Sequence, residues 1–200
     1  MGLSRFCKDV QLISNYPEYS NESPNLHVEV LEIPSHRYEL AYTSVSIDRV
    51  KHEDLHHELW DMFESMRPGR PFRWKPPILS VIRGQGGNAL AMETASGSIE
   101  IAVYNAPANC IWLKKGDLIN FANQSKVYKV MADVQTTNAG MGTIQINCPL
   151  KKSLAIGTLV IGTGAEFTLI RRPKSKPQSF EIKGGKTRIS YAKAEFIEFL

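Results

Sequence analysis

The residues most able to do chemistry in this chain are His52, Glu53 and His56, which spell a literal HExxH. On a helix, two imidazoles four positions apart lie one turn from each other and can share a zinc ion, with the intervening glutamate as general base. The surrounding sequence does not extend the motif. The longer metalloprotease pattern needs glycine at position 59 and histidine at 62, where this chain has Leu59 and Met62. No histidine follows the cluster formed by residues 27, 36, 52, 56 and 57, so a third ligand would have to be Glu58, Glu64 or the distant Glu93. Asp54, inside the motif, suits a solvated helix better than a buried metal site. The expectation is a polar helix face, with no catalytic residue, metal or cofactor.

Other reactive arrangements are weaker. Arg83-Gly84-Gln85-Gly86-Gly87-Asn88 is glycine-rich, but no Lys-Ser/Thr pair and no helix follow it. A flexible strand connection is expected there, not a phosphate cradle. Cys7, Cys110 and Cys148 are too few and too far apart for a disulfide framework or a CxxC knuckle. No Ser-His-Asp or Cys-His spacing suggests a nucleophile. The loop RPGRPFRWKPP at 67–77 mixes guanidinium and aromatic groups. That mixture suits stacking on bases, anchoring of a protein interface, or aromatics covering a domain seam. The expected contact residues are Arg70, Phe72 and Trp74 here, and Arg171 and Arg172 in the second basic proline loop, RRPKSKP at 171–177. Trp60, beside the apolar face of a helix, is a further contact candidate, against the barrel or a neighbouring subunit.

The elements that would carry these residues are mostly short strands. Between Lys114 and Leu150, Val127, Lys129 and Met131 alternate with Tyr128 and Val130, and Ile144 and Ile146 alternate with polar neighbours. Asn138 to Gly142 is turn chemistry. Residues 1–26 read as an extended or irregular lead-in with Pro17 and Pro24. His27–Ile33 and Arg37–Ile47 read as strands around a Pro34-Ser35-His36 turn, with a phase change near Val45 that implies a bulge or bend. Asp48–Met66 reads as the one helix, because Leu55, Leu59, Met62, Phe63 and Met66 follow the helical period and Pro68-Gly69 stops it. After Ile78 the pattern is strand throughout, closing with Phe167–Ile170, Ser179–Ile182, Thr187–Tyr191 and Glu195–Phe199. The two proline loops read as junctions around one unit at roughly 80–164.

Composition narrows the class. Of 200 residues, 42% are hydrophobic and 22% charged, enough for a sizeable core. No apolar run approaches the roughly 20 residues that span a bilayer, and the first thirty residues lack the apolar stretch of a secretory leader. No membrane association is expected. The net charge of +4 is segregated: residues 1–66 sum to −7, residues 67–164 to +7 and residues 165–200 to +4. Such segregation serves phosphate binding, head-to-tail assembly, or neutralisation within the fold.

The order of these elements resembles the distal tail protein of long non-contractile-tailed bacteriophages of Gram-negative hosts. The resemblance runs through ELAYTSVSI, the helix DLHHELWDMFESM with its Arg-Pro-Gly stop, LKKGDLINF, KVYKV, GTIQINCPL and the closing FTLIRRP…SFEIKGGKTRISYAKAEFIEFL. It spans roughly residues 35–200 and is clearest at 112–150 and 167–200. It implies a mainly β fold with one α-helix: a ring-forming β-barrel or sandwich domain from residues 1–82 and 165–200, and an inserted OB-like β-barrel at 83–164. It further implies a non-enzymatic virion tail component, assembled in the host cytoplasm as a homohexameric ring. The implied partners are the tail tube protein, the tail-tip or baseplate hub protein and, through the inserted barrel, host-surface polysaccharide. The competing expectation is an OB-like module that binds nucleic acid or polysaccharide.

Overall fold

The computed structural model describes residues 2–22, 28–33, 35–66, 69–173, 180–183, 188–191 and 194–200. A 3-10 turn, Gly2–Ser4, opens the chain. Five strands precede the helix: β1 (Cys7–Asn15), β2 (Glu18–Glu22), β3 (Val28–Glu32), β4 (Arg37–Ser44) and β5 (Ile47–Asp48). Helix α1 (Glu53–Ser65) and β6 (Phe72–Trp74) follow. The middle of the chain supplies β7 (Ala89–Ala91), β8 (Glu100–Tyr104), β9 (Ile111–Leu113), β10 (Leu118–Phe121), β11 (Val127–Lys129), β12 (Val134–Gln135), β13 (Gly142–Gln145) and β14 (Thr158–Ile161). The last strands are β15 (Phe167–Arg171), β16 (Phe180–Lys183), β17 (Arg188–Tyr191) and β18 (Ala194–Glu198). The protein is therefore mainly β with barrel character, and α1 is the one α-helix among the described residues.

Of the two alternatives for residues 1–26, the described part, 2–22, is extended beyond its opening turn, not irregular, and β1 is built into the main sheet. Leu3 and Phe6 are core residues, and β1 pairs antiparallel with β4 from Cys7 opposite Ser44 to Asn15 opposite Arg37. β1 is an edge strand whose side chains are only partly covered, so its period-two signal is faint. Pro24 lies outside the described residues. The expected turn at Ser35-His36 does not join a hairpin either: β3 pairs with β2, whereas β4 pairs with β1 and β18. The phase change near Val45 marks a real break, because β5 leaves for a separate sheet beside β17.

Helix α1 begins at Glu53, later than Asp48, because His52 takes the N-cap position with a non-helical backbone. Leu59, Met62 and Phe63 face inward, and Phe63 packs on Tyr42 with ring centroids 5.8 Å apart. Each fully buried side chain of this size contributes roughly 1.5–3 kcal/mol. Arg67 and Pro68 lie outside the described residues; Gly69 follows at φ 80°.

Two hydrophobic cores result. The first draws on both flanks of the chain, from Leu3 to Trp74 and from Ala165 to Phe196, beneath the five-stranded sheet β1-β4-β18-β15-β6. The second draws only on residues from Ile82 to Val160, around the six-stranded sheet β11-β10-β14-β7-β8-β13. That sheet curls until its outer strands meet: Val130 bridges Ile146, and the Met131 amide donates to the Gln145 carbonyl at 2.9 Å. β10 and β11 sit between the cores. Leu118 and Val127 belong to the first core, Ile119, Phe121 and Tyr128 to the second. Both faces of this hairpin are therefore covered, and its side chains position the charged cluster described next.

Candidate interaction surface

The seam between the cores holds a buried ion pair that the sequence does not advertise. Lys126, 4% exposed at its side chain, donates to Glu198 Oε2 at 2.8 Å, to the Val127 carbonyl at 2.9 Å, and to His36 Nδ1 at 3.0 Å. Its ammonium lies 4.7 Å from the Tyr38 ring centroid and 5.6 Å from that of Tyr128. Glu198 is fully buried and accepts from the Val127 amide at 2.6 Å and the Tyr38 amide at 3.1 Å. One carboxylate at the end of β18 thus grips β4 of the first core and β11, the strand that lies between the cores. All three ammonium hydrogens have acceptors, as a buried charge requires.

The same cluster extends to Ser14, whose Oγ lies 2.8 Å from His36 Nε2. A Ser-His contact invites a nucleophile reading, but the donors decide against it. Because Lys126 donates to Nδ1, that nitrogen is an acceptor and the ring proton sits on Nε2. His36 then donates to Ser14 and cannot take its proton. Burial lowers the His36 pKa to about 4, with the charges of Lys126 and Lys129 pushing the same way. A cavity of about 610 Å³ opens over this cluster, with His36, Lys126, Cys148 and Lys151 among its walls. The Cys148 thiol is pushed up by burial, against the opposing pull of Lys126, so its thiolate is disfavoured. The seam joins the two cores, with His36 neutral and donating to Ser14 and Cys148 held as the thiol.

A second carboxylate fixes the chain where it enters the inserted core. Asp117, buried, accepts from the Lys114 amide at 2.9 Å, the Arg83 and Gly84 amides at 3.2–3.3 Å, and Arg83 Nε at 3.1 Å. The glycine-rich segment behind Arg83 is a connection leading into β7, and it packs closely on its neighbours. Trp112 Nε1 donates to the Gly87 carbonyl at 2.9 Å, and a Cβ on Gly84 or Gly162 would collide with the Trp112 or Gly87 carbonyl. These glycines allow backbone to pack on backbone.

The expected contact residues separate under this geometry. Phe72 and Trp74 are 6% and 3% exposed and belong to the first core. Trp74 lies 5.7 Å from the Tyr42 ring and donates to Ser4 Oγ at 3.1 Å; Phe72 packs edge-on to Phe196 at 5.1 Å. Their assignment as surface contacts is corrected: β6 alternates, turning both aromatics in and Arg73 out. Arg70 is exposed. Arg172 donates to Glu39 Oε2 at 2.8 Å, within the chain. Glu39 also accepts from Arg37 and Asn15, both at 2.9 Å. Burial raises the Glu39 pKa, but these two hydrogen bonds and the Arg172 charge outweigh it and hold the carboxyl below its usual range. Arg171 is half-buried at the end of β15. Lys174 to Pro177 of that loop lie outside the described residues.

On α1, Trp60 is 42% exposed and tilts against the His56 ring at 6.1 Å. His56 itself is buried with neither ring nitrogen hydrogen-bonded, and burial lowers its pKa. His52 is exposed at the helix start. Among the described residues, no three of His, Cys, Asp and Glu gather closely enough to hold a metal ion. No described helix is long and apolar enough to cross a membrane. No protein-family model matches the chain, and no curated protein matches its sequence.

Proposed function

We propose that this chain is a virion structural protein that closes, as six copies, into a distal tail ring joining a bacteriophage tail tube to its tail-tip or baseplate hub. One observation carries the reading. The second core is built wholly from a stretch inserted between the flanks that supply most of the first, and the buried Lys126–Glu198 pair lies where the two meet. It supports the two-unit plan implied by the strand-and-turn resemblance, with flanks that form the ring and an inserted OB-like barrel. Segregated charge supplies the heterologous contacts that a closed ring needs, and neighbours in a ring would cover open edges such as β1.

The function is assembly, not catalysis. Its partners are further copies of itself, the tail tube and the hub, with host-surface polysaccharide as the ligand of the outward barrel. Its place is the virion tail, reached after assembly in the host cytoplasm. The rival, a barrel that grips nucleic acid or polysaccharide through the basic loop, keeps Arg70, Arg73 and Lys75 as exposed cations. It loses Phe72 and Trp74 as stacking platforms, which single-strand binders rely on.

The deciding experiment is absolute mass by light scattering with negative-stain imaging. A six-fold mass and ring-shaped particles support the tail ring. Salt-sensitive retention of a labelled oligonucleotide by a monomer would favour the rival.

A further inference from the structure

Two surface features of opposite character lie at opposite ends of the five-stranded sheet. At the Tyr42 end, where Cys7 faces Ser44, α1 is packed on the sheet through Phe63. The helix carries Glu53, Asp54, Glu58, Asp61 and Glu64 and neither lysine nor arginine. Trp60 emerges among them, with Glu64 one turn on and Glu53 two turns back along the same side. Val50, just before the helix, is 78% exposed.

At the other end, where Ser14 faces Tyr38, a cleft of about 560 Å³ opens between β1, residues 78–83 and the β10–β11 hairpin. Leu12, Tyr38, Ile78, Leu79, Val81 and Leu118 give it an apolar lining, and Arg83 and Lys129 flank it. Lys114 and Lys115 stand exposed on the loop beside Gly116, which also lines the cleft. Tyr38 contributes a buried hydroxyl that has no hydrogen-bond partner.

The cleft is costly for a solitary chain. Ile78 and Val81 are 85% and 62% exposed, and Ile78 holds φ 68°. For a β-branched residue that left-handed conformation is a true outlier, costing about 1–2 kcal/mol. A strained isoleucine displayed to water gains its value only when something apolar covers it.

We propose that the acidic face of α1, led by Trp60, docks into the apolar, lysine- and arginine-flanked cleft beside Ile78 on a second copy of this chain. The inference rests on the ring reading and names the contact that would close the ring. Complementary charge selects the occupant: the exposed helix carboxylates Asp54 and Asp61 on one copy meet Lys129, Lys114 and Lys115 on the next. Because knob and cleft occupy opposite ends of one sheet, each copy uses both, and the contact propagates head to tail.

The test is self-association of the full chain by light scattering across a concentration series, with thermal melts as the folding control. Trp60→Ala weakens association by about thirty-fold or more, as loss of a tryptophan anchor does. Ile78→Gly also weakens it while leaving the melting temperature equal or higher, since glycine adopts that φ without strain. Asp61→Lys and Lys115→Glu each weaken it on the order of ten-fold at low salt, and together they restore most of it. If Trp60→Ala and Ile78→Gly assemble as tightly as the parent and the charge pair shows no rescue, the docking contact is overturned and the ring stands on another interface. A parent chain that stays monomeric at every concentration also overturns it; antibody labelling of tail particles then judges the ring reading separately.

Discussion

Replacing Lys126 by methionine is the sharpest test of the seam. Methionine keeps most of the stem volume between Tyr38 and Tyr128 but removes the charge that faces Glu198 at 2.8 Å. Breaking a buried pair by deleting one member costs about 3–5 kcal/mol, because the other charge is left uncompensated. Here Glu198 keeps two backbone donors, the amides of Val127 and Tyr38, so the expected loss is near the lower figure, about 3 kcal/mol. Glu198→Gln should cost a similar amount, because the buried ammonium then faces only neutral acceptors: the Val127 carbonyl, His36 and the amide oxygen. The double variant has no buried charge at this point; its main defect is one backbone N–H facing the new amide, worth about 1–3 kcal/mol. Urea denaturation of the four proteins should therefore close a cycle with a coupling of roughly 3 kcal/mol and unchanged m-values. Additive losses, near 6 kcal/mol for the double variant, would refute the reasoning. So would a neutral Lys126→Met, which would mean that water reaches the ammonium through the cavity above it.

Acid should destabilise the fold. His36 has a folded pKa of about 4 against an ordinary 6.5, so between those values only the unfolded chain binds the proton. The stability present above pH 6.5 is lost as pH falls through this window, by up to ~3 kcal/mol, and Glu39, held low, adds its loss below 4.5. Urea midpoints across pH 7 to 4 should fall for the parent, and His36→Asn should flatten the upper part of that fall. Trp74→Ala should act as a core truncation, costing about 3–5 kcal/mol in denaturation; an unchanged melting temperature with lost assembly would return Trp74 to the surface. Asp117→Ala should cost roughly 3 kcal/mol by stranding the Arg83, Gly84 and Lys114 amides, read as faster hydrogen exchange at those three positions.

What could be read in the sequence was whatever depends on neighbours along the chain. Leu59, Met62, Phe63 and Met66 announce the helix because its apolar stripe repeats within one segment. Ile101, Val103 and Ile144 alternate because β8 and β13 cover a core on one face. The burial of Phe72 and Trp74 was also present in the pattern, since Phe-Arg-Trp-Lys alternates in strand fashion; the proline punctuation around it suggested a loop instead. Lys126 is different. A lysine in KVYKV reads as solvated, and nothing within that segment signals Glu198, its partner 72 positions away. Its burial follows from β10 and β11 lying between two cores, a tertiary fact that overrides local periodicity. Ser14 and His36 belong to the same class, brought together by the pairing of β1 with β4.

Under the proposed docking, the charge segregation of the chain would have two physically distinct uses, and salt separates them. Lys126–Glu198 has both members out of water, so screening by counterions reaches it weakly. Asp54, Asp61, Lys114 and Lys115 stand exposed, where raising ionic strength from about 0.01 to 1 M shortens the screening length from roughly 30 to 3 Å. Urea midpoints of the monomer should then change little with sodium chloride, while self-association through α1 weakens steeply. Were the surface charges neutralised within the fold instead, as the Arg5–Glu58 and Arg172–Glu39 pairs are, association would show no such slope. An association constant that holds flat across that salt range would mean the acidic helix and the basic cleft edge do not meet, leaving the apolar contact of Trp60 with Ile78 to stand or fall by itself.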